Sequence, residues 1–107
     1  MKSYTDLSQS KKLAEFLSIE SADMCYNDGE LIIGYTPLAK ERDDYFPCWS
    51  LAALLNFLPA NKLEKQFDGK WWFSVYLPSG QHKSHKHDNP IDACYEIIVR
   101  LNKLKLL

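Results

Sequence analysis

The chain has 107 residues, 46% of them hydrophobic and 25% charged, a composition typical of one soluble globular domain. Its formal net charge of −1 excludes a general electrostatic attraction to nucleic acid or to an anionic membrane. We expect a cytoplasmic protein, because residues 1–6 lack an apolar signal region, no apolar run approaches the roughly 20 residues of a membrane span, and the three cysteines lack CxxC spacing.

A first helix is predicted over residues 7–18. Apolar residues recur there at roughly helical spacing, while serine and lysine side chains fall on the other side. Thr5 or Asp6 can cap the helix, because a short oxygen-bearing side chain accepts a hydrogen bond from an unpaired amide of the first turn.

A hairpin is predicted over residues 22–36. Asp28-Gly29 is a tight-turn signal, since glycine adopts a positive φ without steric cost, and runs with strand character lie on both sides of it. Beyond Pro37 the charged residues show no periodicity, so we expect a solvated loop over residues 37–46.

The most apolar run in the chain, Phe46–Pro59, predicts a short helix over residues 50–58. Ser50 is its expected N-cap, and Pro47 and Pro59 bracket it. A helix that is apolar on all sides must be covered on most of them. We therefore expect it at the centre of the core, through its four leucines, Leu51, Leu54, Leu55 and Leu58.

Residues 60–77 return to strand character, and Trp71–Leu77 is the clearest strand of the chain. Alternate residues of a strand point to opposite faces. One face, expected to pack on the core, carries Trp71, Phe73, Val75 and Leu77. The other carries Trp72, Ser74 and Tyr76.

The C-terminal part predicts a polar edge strand over residues 81–87 and then a helix over residues 89–105. Asn89 is the expected N-cap of this helix, and Pro90 suits its first position, where a missing amide costs nothing. The element order is thus α-β-β-α-β-β-β-α. The fold class predicted from it is α+β, a single domain over residues 1–107. Two or three helices pack on one face of a four- or five-stranded antiparallel sheet.

Two segments carry a resemblance to other proteins. Pro47-Cys48-Trp49-Ser50-Leu51-Ala52-Ala53-Leu54-Leu55 and Asp88-Asn89-Pro90-Ile91-Asp92-Ala93-Cys94-Tyr95-Glu96 resemble a group of small uncharacterised proteins encoded by phages and mobile elements of gut bacteria. The resemblance implies an accessory protein of a mobile element, and no activity is assigned to that group.

The histidines form the one cluster with metal-ligand residue types. His82, His85, His87 and Asp88 lie close together in sequence, and on an extended strand His85 and His87 would share a face. No H-E-x-x-H pattern, nucleophile elbow or glycine-rich phosphate loop is present. We therefore favour a solvated edge strand with no cofactor and no catalytic residue. A metal-dependent enzyme that uses the histidine cluster is the third hypothesis for function.

The face with Trp72 and Tyr76 carries the first two hypotheses for function. Helices enough to cover both sheet faces are lacking, and tyrosine and tryptophan are typical interface residues. The leading hypothesis is a non-enzymatic protein–protein interaction module, a homodimer that pairs through Trp72 and Tyr76, with a further, unknown protein partner. The alternative is single-stranded nucleic-acid binding, in which these aromatics form a stacking platform with a basic rim of Lys70, Lys83, Lys86 and the nearby histidines.

Overall fold

The computed structural model describes residues 2–27, 29–33 and 45–107. The chain begins with helix α1, Leu7–Leu13, which Asp6 caps by accepting a hydrogen bond from the Gln9 amide at 2.8 Å. The prediction of a helix over residues 7–18 is too long. After Leu13 the backbone tightens into turns and continues to a short 3₁₀ helix, Ile19–Ser21.

The first sheet has three antiparallel strands in the order β2-β1-β3. They are β1, Met24–Asn27, β2, Glu30–Ile33, and β3, Tyr45–Cys48. The predicted hairpin is present as β1 and β2, and Gly29 has the expected positive φ of 80°. Residues 34–36 of the predicted hairpin and residues 37–44 of the predicted loop lie outside the described residues.

Strand β3 corrects two sequence predictions. The predicted loop includes Tyr45 and Phe46, and Pro47 is the predicted helix boundary. All three residues belong to β3, where Pro47 lies opposite Cys25. The strand is at an edge of its sheet. An edge strand tolerates proline, because the missing amide need not take part in the ladder.

Helix α2, Leu51–Phe57, begins after Ser50, whose hydroxyl accepts a hydrogen bond from the Ala53 amide at 3.1 Å. The prediction that this helix is covered on most sides holds only in part: Leu54 and, just after the helix, Leu58 are buried, whereas Leu51 is half-buried. Leu54 is its one fully buried residue, while Ala52 and Phe57 are exposed and Leu55 is half-buried. A helix of seven residues makes only two turns, so it has few positions to bury.

The second sheet also has three antiparallel strands, in the order β4-β5-β6. They are β4, Asn61–Lys65, β5, Trp71–Leu77, and β6, Gly80–Lys83. Helix α3, Pro90–Lys103, follows, with the Asn89 side chain accepting a hydrogen bond from the Asp92 amide at 2.9 Å. Its buried residues are Pro90, Ile91, Ala93, Cys94, Ile97, Ile98 and Leu101.

The α+β class is confirmed, but the prediction of a single four- or five-stranded sheet is wrong. The described elements run α-β-β-β-α-β-β-β-α and form two three-stranded sheets. The added strand, β3, completes the first sheet by pairing with β1. The helices are likewise divided, since α1 packs against β3 and α3 packs against β5.

The chain forms two compact units. One comprises Tyr4–Leu54 and the other comprises Leu55–Leu107 together with Met1–Ser3. The assignment of residues 1–107 to one domain stays a prediction. Within the described ranges, no helix has both the length and the apolar character that crossing a bilayer requires.

Candidate functional site

One face of the second sheet has exposed side chains around a buried central serine, and we call it the open face. Its central positions are Trp72, Ser74 and Tyr76 of β5. The pairing register places Ser74 directly between Lys62 of β4 and Lys83 of β6. The open face comprises Lys62, Glu64, Trp72, Ser74, Tyr76, Gln81 and Lys83, with Lys86 reaching over Trp72 from the segment after β6.

The opposite face of β5 is the core face that the sequence predicted. Phe73 and Val75 are fully buried there, and α3 packs against this strand. Trp71 and Leu77, at the ends of the strand, are half-buried. Because α3 occupies this side of the strand, the alternating pattern directs the remaining aromatic side chains to the open face.

Two lysine side chains lie over the ring of Trp72. The Nζ atom of Lys83 lies 4.3 Å from the ring centroid, and that of Lys86 lies 5.5 Å away. These distances are typical of cation–π contacts. Trp72 is half-buried, whereas Tyr76 is 42% exposed. The open face thus presents one aromatic ring covered by ammonium groups and one that is free to contact a ligand.

Ser74 is an unusual residue of the open face. It is only 1% exposed, and its Oγ atom has no hydrogen-bond partner within the described ranges. Buried hydroxyl groups are normally hydrogen-bonded, because an unpaired one loses its hydration without compensation. Ser74 lies directly across from Lys62 on one neighbouring strand and from Lys83 on the other.

Charge is distributed unevenly between the two compact units. Leu55–Leu107 with Met1–Ser3 contains nine Lys and Arg residues against five Asp and Glu residues, a net charge of +4. Tyr4–Leu54 contains four against nine, a net charge of −5. The total of −1 therefore hides a basic unit, which is the one that carries the open face.

Three lysines of this unit, Lys62, Lys70 and Lys86, already pair with carboxylates. The ammonium group of Lys70 pairs with the Asp88 carboxylate, and the Lys86 ammonium lies 3.2 Å from a carboxylate oxygen of Asp68. The Nζ atom of Lys62 lies 3.9 Å from the Oε1 atom of Glu64. Exposed ion pairs of this kind are weak, so these lysines can exchange their partners for another anion.

Two histidines of the sequence cluster converge on Glu96 of α3. The Oε1 atom of Glu96 lies 3.1 Å from His85 Nδ1 and 2.8 Å from His87 Nε2, and it also accepts a hydrogen bond from the His85 amide at 2.9 Å. Its other oxygen pairs with Arg100, which donates a further hydrogen bond to the Lys83 carbonyl at 2.8 Å. Glu96 therefore links α3 to the segment that follows β6.

The other members of the sequence cluster lie apart from Glu96. His82 is half-buried and lies opposite Val75 in the β5–β6 register, while Asp88 pairs with Lys70. Over the described part of the chain, no group of three or more histidine, cysteine, aspartate or glutamate side chains could hold a metal ion. The Oε1 atom of Glu96 contacts both imidazole rings, so these three residues connect α3 to the segment after β6.

Adding Zn²⁺ is expected to leave the melting temperature unchanged. A metal that binds the native state tightly raises its melting temperature. We expect no rise, because His85 and His87 already contact Glu96 in this fold. Thermal melts with ZnCl₂ and with a chelator measure the effect. A rise of several degrees that disappears when both histidines are replaced by alanine would show that this prediction is wrong.

The pKa of Glu96 reports the balance of these contacts. Burial disfavours the charged carboxylate and raises its pKa. Hydrogen bonds from His87 and from the backbone and ring of His85 lower the pKa by more than burial raises it, so the pKa lies below its ordinary value.

A pocket of about 420 Å³ lies beside this cluster. Its lining residues are His85, Tyr95, Glu96, Val99, Arg100 and Lys103.

The three cysteines are poor candidates for nucleophiles. Cys25, Cys48 and Cys94 are free thiols with fully buried side chains. Burial raises the pKa of all three, that of Cys94 to about 12. A buried thiol with a raised pKa supplies little of the thiolate that nucleophilic chemistry needs.

Sequence reasoning missed Glu96 and Lys62, and it named Lys83 and Lys86 as rim residues without placing them over the ring of Trp72. Glu96 and Arg100 are four residues apart on a predicted helix, and that spacing could have identified the pair. The position of Lys86 above Trp72 depends on where the chain turns after β6, which the sequence pattern did not specify.

Comparisons of the chain with protein-family models, curated proteins and solved structures found no match.

Proposed function

We propose that this chain is a non-enzymatic binding module whose open face binds single-stranded nucleic acid. The observation that carries the proposal is the grouping of Trp72 and Tyr76 with three lysines on one sheet face, the lysines being Lys62, Lys83 and Lys86. Aromatic rings that stack on bases, beside cations that pair with phosphates, are the usual components of such a surface.

The energies of the competing contacts support an exchange at Trp72. An exposed cation–π contact contributes about 0.5–1 kcal/mol. Stacking of a base on an aromatic side chain contributes about 1–3 kcal/mol. A base can therefore replace Lys83 over the ring, and the released ammonium group can pair with a phosphate of the same strand.

The lysines are also the reason to rank nucleic acid above self-association. In a two-fold pairing the open face of one copy meets the same face of the other, so Lys62, Lys83 and Lys86 would approach their own equivalents. Glu64 is the one acidic residue among the members of this face. Dimerisation through Trp72 and Tyr76 stays a prediction. Light scattering of the same samples tests it by measuring the molecular mass.

A fluorescence anisotropy titration with a labelled single-stranded oligonucleotide tests the proposal. We expect a dissociation constant on the order of 10⁻⁴ to 10⁻⁶ M at physiological salt. If three lysines each neutralise one phosphate, the slope of log K against log salt is about −2. Replacing Tyr76 with serine is expected to weaken binding about fivefold or more, since one stacking position is lost.

Replacing Tyr4 with serine provides the matched control. Tyr4 is 37% exposed, close to the value for Tyr76, but it belongs to the acidic unit. Two results would contradict the proposal. One is no binding at 50 mM salt. The other is a two-chain mass in light scattering that reverts to one chain in the Tyr76→Ser variant, without any affinity for the oligonucleotide.

The biological setting that we propose is that of an accessory protein of a phage or mobile element, acting in the cytoplasm. The support is the resemblance of Pro47–Leu55 and Asp88–Glu96 to proteins encoded by such elements. The genes beside this one provide the check. Neighbours with replication, packaging or transfer functions would agree with this setting, and neighbours of chromosomal metabolism alone would oppose it.

A further inference from the structure

The buried hydroxyl group of Ser74 has no use in the fold that the described contacts reveal. Its Oγ atom is buried without a hydrogen-bond partner in the described ranges, at the middle position of β5. It belongs to the open face, midway along the strand between Trp72 and Tyr76. A buried polar atom that the protein's own groups leave unpaired is a candidate contact for a ligand.

The lysines on both sides of Ser74 indicate the charge of that ligand. Lys62 and Lys83 lie directly across from it on the two neighbouring strands, where opposing Cβ atoms are about 5 Å apart. One long cationic side chain therefore starts on each side of the hydroxyl group. Lys62 now lies 3.9 Å from Glu64 and Lys83 lies over Trp72, and both contacts are at the exposed surface.

We infer that Lys62, Ser74 and Lys83 form a subsite for one phosphate group of a single-stranded nucleic acid, with a base stacked on Trp72 on one side and on Tyr76 on the other. This inference rests on the proposed function and specifies its geometry. Once the side chains that now bury Ser74 move aside, the two ammonium groups pair with the phosphate, and the Ser74 hydroxyl donates a hydrogen bond to it. Along β5 each aromatic residue is two positions, about 6.7 Å, from Ser74.

The Ser74→Ala variant separates a ligand-binding role from a structural one. The hydroxyl has no partner in the fold, so its removal is expected to leave the melting temperature unchanged or slightly higher. Affinity for the oligonucleotide is nevertheless expected to fall about tenfold, since a hydrogen bond to a charged phosphate is lost. A structural role would instead lower the melting temperature.

The lysine variants provide an independent test that does not depend on Ser74. Replacing Lys62 and Lys83 together with glutamine is expected to make the salt slope less steep by about 1.4, because two phosphate-neutralising charges are removed. Lys65→Gln is the matched control, since Lys65 is on the same strand as Lys62 but on the opposite face and is likewise exposed. We expect no change in the salt slope for that variant.

The outcomes distinguish this subsite from the proposed function. If the wild-type chain does not bind the oligonucleotide, the proposed function fails, and the subsite fails with it. If the wild-type chain binds, but Ser74→Ala keeps full affinity and the Lys62/Lys83 variant changes the salt slope no more than Lys65→Gln does, the subsite alone is refuted. A lower affinity for Ser74→Ala at unchanged stability, with the smaller salt slope, supports the subsite.

Discussion

Replacing Leu54 with alanine is expected to lower the free energy of unfolding by about 2–5 kcal/mol, the range for a buried leucine that leaves a cavity. Leu54 is completely buried, whereas Leu55, its neighbour on α2, is half-buried. The sequence pattern alone places both leucines in the core. The structure lowers the expectation for Leu55→Ala to under about 2 kcal/mol, since part of that side chain already contacts water.

Denaturant melts of three leucine-to-alanine variants provide the measurement. Leu104 is 52% exposed, so Leu104→Ala is the control and should change the free energy of unfolding by less than about 0.5 kcal/mol. Equal losses for Leu54→Ala and Leu104→Ala would show that α2 is placed incorrectly in this account.

Replacing Glu96 with glutamine is expected to cost about 1–3 kcal/mol at neutral pH, because the hydrogen bonds to its carboxylate then lose the charge that strengthens them. The substitution keeps the size of the side chain and removes only the charge. Glu96 contacts His85, His87 and Arg100, and its side chain is 21% exposed, so water screens these contacts only in part.

The same residue should make the wild-type protein sensitive to acid. The pKa of Glu96 is lowered from the ordinary value of 4.5 in the folded chain. In the unfolded chain its carboxylate therefore takes up a proton at a higher pH than in the folded chain. The stabilisation is complete above the unfolded pKa and is lost as pH falls through the folded pKa.

Melting temperatures recorded from neutral pH down to about pH 3 test this expectation. The difference between wild type and Glu96→Gln should shrink as the pH falls below 4.5. Glu15→Gln is the control, since the ion pair of Glu15 with Lys12 is at the surface and contributes less than about 1 kcal/mol. A difference that stays constant across this pH range would contradict the assigned role of Glu96.

Local sequence signals were sufficient for several elements. The alternation in Trp71–Leu77 identified β5 with the bounds that the structure shows, and it identified Phe73 and Val75 as core residues. Asn89 and Pro90 marked the start of α3. In each case the signal and the structure depend on the same short stretch of chain, either the period of a strand or the cap of a helix.

The remaining features depend on contacts between residues distant in the chain. Pairing of β3 with β1 divides the strands into two sheets, and the Pro47 signal that suggested a boundary is compatible with an edge strand. The convergence of His85 and His87 on Glu96 likewise depends on how α3 packs against β5. No local pattern encodes either arrangement, so the sequence could not predict them.

A nuclear magnetic resonance titration of the isotopically labelled chain with a short single-stranded oligonucleotide locates the binding surface residue by residue. We expect the largest shifts at the indole N–H of Trp72 and at the amides of Lys62, Ser74, Tyr76 and Lys83, while the amides of β1 and β2 stay unchanged. Shifts that concentrate in Tyr4–Leu54 or along α3, with the open face unaffected, would contradict this expectation.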